Sequence, residues 1–99
     1  MSLHDGHRNR LRERFLRDGL DTFDEHQALE MLLFYAMPRK DTNALAHELI
    51  RRFGSLASVL EASIIELQDV PGIGEQTATF LKFSAAFSQD AQRGRTGNC

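Results

Sequence analysis

Leu67-Gln68-Asp69-Val70-Pro71-Gly72-Ile73-Gly74-Glu75-Gln76-Thr77-Ala78 is the stretch whose reading decides the fold of this chain. Pro71 cannot continue a helix, so it closes the one before it. Gly72 and Gly74 permit a tight turn with unusual φ and let another backbone approach closely. Ile73, between them, is placed to plug the core and fix the turn. A new helix starts at Glu75, with its first N–H groups free of intrahelical partners. Ala78 is small enough for the two flanking helices to pack closely. A helix start with glycine-exposed amides suits an anionic phosphate oxygen.

Leu67, Val70, Ile73, Ala78 and Leu81 stand where a helix-hairpin-helix unit needs its apolar contacts. Two uses of that unit stay open: a grip on nucleic-acid backbone, or a purely architectural turn. Working outward, the chain reads as helical nearly throughout, because no stretch alternates polar and apolar residues as a strand does. A first helix spans about His7 to Asp18, with Leu11 and Phe15 on one face, Leu16 and Leu20 extending it, and Gly19 as its stop. Asp24 and Gln27 form a capping-box pair that opens a second helix, ended by Pro38. That segment is apolar on most sides and is read as the central helix. Asp41 or Thr42 caps a third helix through Phe53, whose inner stripe is Leu45, Ala46, Leu49, Ile50 and Phe53. Gly54 ends it. Ser55 caps a short fourth helix, Ser63 with Glu66 opens a fifth, and a sixth runs from Glu75 to about Gln89. The helix-turn-helix around Pro38 faintly repeats the one around Pro71, with Ala46 and Leu49 where Ala78 and Leu81 fall.

The expected fold is therefore all-α: a small orthogonal bundle of five to six helices holding tandem helix-hairpin-helix-like units, the second regular and the first degenerate. Its 99 residues, 41% of them apolar, allow one domain with a modest core. Residues 1–6 read as a flexible N-terminus, 7–89 as the domain, and 90–99 as a flexible tail or truncated linker. Cys99 alone suits a reducing compartment, no apolar run approaches the ~20 residues of a membrane span, and no signal-peptide pattern opens the chain, so a cytoplasmic location is expected.

Net charge is −2, whereas domains that bind nucleic acid through bulk electrostatics are usually strongly basic. Any DNA contact must then be local and weak. Arg39 and Lys40 lie in the first turn, and Arg51 and Arg52 at the end of the third helix. If the two units pack about a pseudo-two-fold axis, Arg39 and Lys40 meet one strand's phosphates while Gly72 and Gly74 meet the other's, which positions a protein without reading sequence. Arg8, Arg10, Arg12, Arg14 and Arg17 read as spread around the first helix on a solvated surface, offset by Asp18, Asp21, Asp24 and Glu25. His4, His7, His26 and His47 lack a metal-ligand spacing. No nucleophile signature, phosphate-binding Walker loop or zinc-hydrolase motif appears, so no enzyme, metal or small-molecule substrate is expected.

His7-Arg8-x-Arg10-Leu11-Arg12-x-Arg14-Phe15, Leu32-Leu33-Phe34-Tyr35-Ala36-x-Pro38-Arg39-Lys40-Asp41-Thr42-Asn43, Phe53-Gly54-Ser55-Leu56 and Val70-Pro71-Gly72-Ile73-Gly74 together resemble the N-terminal domain of the bacterial RadC family, traditionally labelled DNA repair proteins. The resemblance runs from about His7 to Ser88. The segment from Arg39 to Leu81 is also similar to the tandem helix-hairpin-helix domains of excision-repair nucleases. The resemblance implies a second, metal-binding domain of the JAB/MPN type, expected outside this chain. It also implies a monovalent cation as a cofactor, held on the backbone carbonyls of Gln68, Val70 and Ile73. Helix-hairpin-helix units that bind DNA well carry Lys or Arg after the second glycine, where this chain has Glu75-Gln76. Glu75 suits the helix dipole but repels phosphate.

The expected function is thus a non-catalytic, sequence-independent DNA-binding accessory domain. Its contacts would be Arg39, Lys40, Val70, Gly72, Ile73, Gly74, Thr77 and Lys82, with micromolar or weaker affinity that falls with salt. The alternative is a protein-docking or homodimerisation module, using Met37 or the outer face of the Phe80–Phe87 helix.

Overall fold

The computed structural model describes residues 3–94. Six helices follow one another: α1 (Leu3–Asp18), α2 (Glu25–Ala36), α3 (Thr42–Phe53), α4 (Leu56–Glu61), α5 (Ile64–Gln68) and α6 (Glu75–Gln92). The described residues contain no strand. Among them no helix is long and apolar enough to cross a membrane.

Local sequence sets most of the boundaries. The Asp41 carboxylate accepts the Ala44 N–H at 3.1 Å and so caps α3. Thr42, the other candidate, is buried. Ser55 Oγ accepts the Ser58 N–H at 3.1 Å at the start of α4. At α5 the exchange is reciprocal: Glu66 N–H donates to Ser63 Oγ at 3.1 Å, and Ser63 N–H to Glu66 Oε1 at 2.9 Å. At α2 the Asp24 N–H donates to Gln27 Oε1 at 3.0 Å. Gly54 closes α3 at φ +100°, donating its N–H to the Ile50 carbonyl.

Leu29 and Leu33 of α2, Ala46 and Leu49 of α3, Val59 of α4, Leu67 of α5, and Ala78 and Leu81 of α6 form one continuous core. Helix α2 packs on α1, α3 and α4, while α6 lies across α4 and α5. The central position predicted for α2 is the observed one.

Several expectations need correcting. Helix α1 begins at Leu3, before the expected His7, and passes through Gly6; one interior glycine costs about 1 kcal/mol and does not stop a helix. Helix α6 continues to Gln92, past the expected Gln89, and ends where Gly94 adopts φ +67°. The remainder of the expected tail, residues 95–99 with Cys99, lies outside the described residues. Leu16 and Leu20 do not extend the inner face of α1, being 82% and 56% exposed. Only α2 covers α1 extensively, so its apolar stripe is narrower than its apolar residues suggest. Met37 is buried, which removes it as an exposed docking residue. Arg8, expected on a solvated surface, is only 7% exposed.

Candidate nucleic-acid interface

Two turns lie side by side. The second joins α5 to α6. Val70 and Ile73 are buried and anchor it, with the Ile73 N–H donating to the Val70 carbonyl at 3.0 Å. Between them Gly72 takes φ +96°, a left-handed conformation that side-chain-bearing residues adopt at a cost. Gly74 differs. It begins α6 in ordinary extended geometry, φ −94° and ψ −175°, and a Cβ there would meet nothing within 4 Å. Only one of the two glycines therefore answers a conformational need. No side chain caps α6, and the N–H groups of Glu75, Gln76 and Thr77 are given no acceptor by the described residues.

The first turn, between α2 and α3, contains no glycine and no positive φ. An arginine holds it from outside. Arg8 Nη1 donates to the Pro38 carbonyl at 2.6 Å, and Nη2 to the carbonyls of Lys40 at 2.7 Å and Met37 at 3.3 Å. The guanidinium also sits over the Phe34 ring, 5.2 Å from its centroid. A planar fork of five donors matches a curl of carbonyls in a way an ammonium does not. The result is a turn that keeps Arg39 and Lys40 exposed, with no hydrogen-bond or ion-pair partner for either side chain among the described residues.

The turns meet at two concavities. One, of 420 Å³, is lined by Met37, Pro38, Arg39, Lys40, Gly72 and Thr77 among others. Its neighbour, of 390 Å³, shares Met37, Lys40 and Gly72 and continues along Leu45 and Pro71. Four of the eight residues singled out in the sequence thus share one cavity, and Gly74 lies two residues along from Gly72. Val70 and Ile73 face the core, so only their backbone is available to a ligand. Lys82 is elsewhere: its Nζ donates to the Leu60 carbonyl at 3.1 Å, at the end of α4. Of the three carbonyls singled out for a cation, that of Val70 already accepts the Ile73 N–H and retains one lone pair.

Arg51 and Arg52 are not spare cations. Glu48 accepts from Arg51 at 3.0 Å and 2.5 Å and from Arg52 at 2.8 Å. Those bonds hold the Glu48 carboxyl down at about 2 and raise Arg51. A further cluster escaped the sequence reading. Glu30, a buried carboxylate on α2, accepts from Asn43 Nδ2 at 3.1 Å. His7 Nε2 lies 2.7 Å from its other oxygen, close enough to pair when protonated but outside hydrogen-bond alignment. His26 and His47 stack on one another with centroids 4.1 Å apart.

Comparison with known proteins places this sequence in a family. The family described as UPF0758 N-terminal matches residues 6–79, which take in both turns and Arg8. A UPF0758 protein of Fusobacterium nucleatum subsp. nucleatum is 48% identical over 77 residues, covering 78% of this chain and 33% of that relative. The chain thus spans about a third of the length of the curated relative it matches. No solved structure matches it. The chain therefore belongs to the UPF0758 family, which is the RadC-like family, by its N-terminal domain.

Proposed function

We propose that this domain is a non-catalytic, sequence-independent holder of DNA backbone, built on a helix-hairpin-helix at Val70–Gly74 and a degenerate partner turn at Met37–Asp41. The observation that carries the reading is the shared cavity. It sets two exposed cations, Arg39 and Lys40, against Gly72 and Thr77. Beside it the uncapped start of α6 offers backbone N–H groups. Glu75 and the net charge of −2 work against affinity, so binding is micromolar or weaker. A monovalent cation on the carbonyls of Gln68, Val70 and Ile73 belongs to the same reading.

A labelled duplex titrated by fluorescence anisotropy tests it. With two to three phosphates neutralised, affinity drops roughly 10- to 40-fold between 50 and 200 mM salt. Gly74→Ala separates fold from contact, because its backbone and surroundings accept a methyl. The variant keeps the parent's melting temperature and loses several-fold in affinity, since the methyl stands where a phosphate oxygen approaches the α6 amides. Equal binding at both salt concentrations, or a Gly74→Ala variant that binds like the parent, sinks the reading.

One observation favours docking as a second reading. Phe83 and Phe87, on α6, are 65% and 64% exposed and stack at 6.0 Å. Both lie beyond the residues the family matches. If this face joins two copies, light scattering gives a mass that rises with concentration, and Phe83→Ser with Phe87→Ser abolishes the rise. A constant monomer mass removes the dimer.

A further inference from the structure

The five arginines of α1 divide between two flanks of the helix. Arg8 and Arg12 both lie over Phe34, Arg8 also gripping the first turn. His7, Arg10, Arg14 and Arg17 recur at the spacing of the other flank and line a separate groove of 410 Å³, with Glu13 of α1 and Gln27 of α2 in its walls. This groove shares no lining residue with the cavities between the turns.

Arg14 is fixed in place. Its Nη2 donates to Gln27 Oε1 at 2.6 Å and its guanidinium lies 4.4 Å from the centroid of the Phe23 ring. Its Nε is buried with no acceptor. Arg10 has no hydrogen-bond or ion-pair partner among the described residues, and Arg17 has only Asp18, its exposed neighbour, at 3.1 Å. Arg10 and Arg17 stand about 10 Å apart along the helix axis, far enough for each to meet a different phosphate of one strand. Guanidinium forks bind phosphate oxygens in pairs and stay charged at any physiological pH.

We infer that the groove between α1 and α2 is a second anion site that takes the phosphodiester backbone of one nucleic-acid strand, on a face separate from the turns. The class of ligand rests on the backbone-binding reading above; the site itself rests on the arginine row. Glu13 is the groove's own opposing charge, and it sets a ceiling on affinity.

The test uses the whole chain, a labelled single strand and a labelled duplex, two charge-reversed variants and one in which a carboxylate is neutralised. Arg10→Glu with Arg17→Glu is expected to weaken single-strand binding about a hundredfold at 50 mM salt, because about two phosphates then go without a cation, and to move the melting temperature by only a few degrees, since the Arg17–Asp18 pair it breaks is exposed. Glu13→Gln is expected to strengthen it about threefold by the same electrostatics, an effect no misfolded variant produces. Arg39→Glu with Lys40→Glu reports on the turns alone. If the groove variant binds like the parent while the turn variant does not, the second site is wrong and the first reading stands. If the groove variant alone loses binding, the reverse holds. Displacement of the strand by polyglutamate at equal charge concentration overturns the nucleic-acid assignment and makes the groove a seat for an acidic protein segment.

Discussion

Arg39→Glu combined with Lys40→Glu is expected to weaken duplex binding about a hundredfold at 50 mM salt while leaving the fold intact. Both side chains are exposed and neither has a hydrogen-bond or ion-pair partner in the described chain, so the double change breaks no intramolecular bond. Charge-assisted bonds to phosphate contribute roughly 1.5–3 kcal/mol each before repulsion is counted. Removing two of them, near the low end of that range, costs about 3 kcal/mol, and each 1.4 kcal/mol is tenfold. The salt dependence carries the sharper signature. Leaving two phosphates unneutralised lowers the slope of log affinity against log salt by about 1.8. A variant with weaker binding and an unchanged slope is impaired in something other than its hold on phosphate. A variant that binds like the parent shows that the shared cavity is not a phosphate grip, and the turns are then architecture.

Much of this was open to sequence reasoning, and the reason is local. Caps act within one turn of helix, so Ser63 with Glu66, Ser55, Asp41 and Gly54 announce their boundaries wherever the chain places them. The alternation of buried positions in α3 and α6 follows from helical period alone. What stayed hidden depends on partners distant in the chain. Gly72 and Gly74 look equivalent in Pro-Gly-Ile-Gly, yet only Gly72 adopts positive φ, because the turn direction is set by burying both Val70 and Ile73. Leu16 and Leu20 look like core and are not, since nothing in a single helix says how many neighbours will cover it. Lys82 falls one turn past Ala78 on a helix that starts at the hairpin, but the Leu60 carbonyl draws it toward α4. The candidate site was legible as a set of residues, and only the approach of the α2–α3 turn to the α5–α6 turn showed which of them share a cavity.

Arg8 was the least legible residue, and the largest stability effect is expected there. Read among five arginines, it looked like one more solvated charge. In the fold it is a buried guanidinium, and the three carbonyls it serves, 29 to 32 residues away, belong to a turn that has no glycine. Removing it leaves those carbonyls to find other donors. The Met37 carbonyl keeps the Lys40 N–H at 3.2 Å, but those of Pro38 and Lys40 have no other donor among the described residues. Burying a charge already costs desolvation, so the three bonds cannot be summed at face value. Arg8→Met, which preserves most of the volume over Phe34, is expected to cost about 3 kcal/mol, or about 15 °C in melting temperature for a domain of this size. Arg8→Lys is expected to recover less than half of that, because one ammonium cannot span the donor positions of a fork. Binding should follow stability only in part. Well below its melting temperature the Arg8→Met chain still folds, yet its first turn is no longer held, and Arg39 and Lys40 lose their placement beside Gly72. Duplex affinity should then fall about tenfold while the Gly74→Ala effect persists undiminished, since the second turn builds itself from Val70, Gly72 and Ile73. Melting within about 2 °C of the parent would show that the turn stands without its arginine, a shift too small for the removal of even one such buried bond.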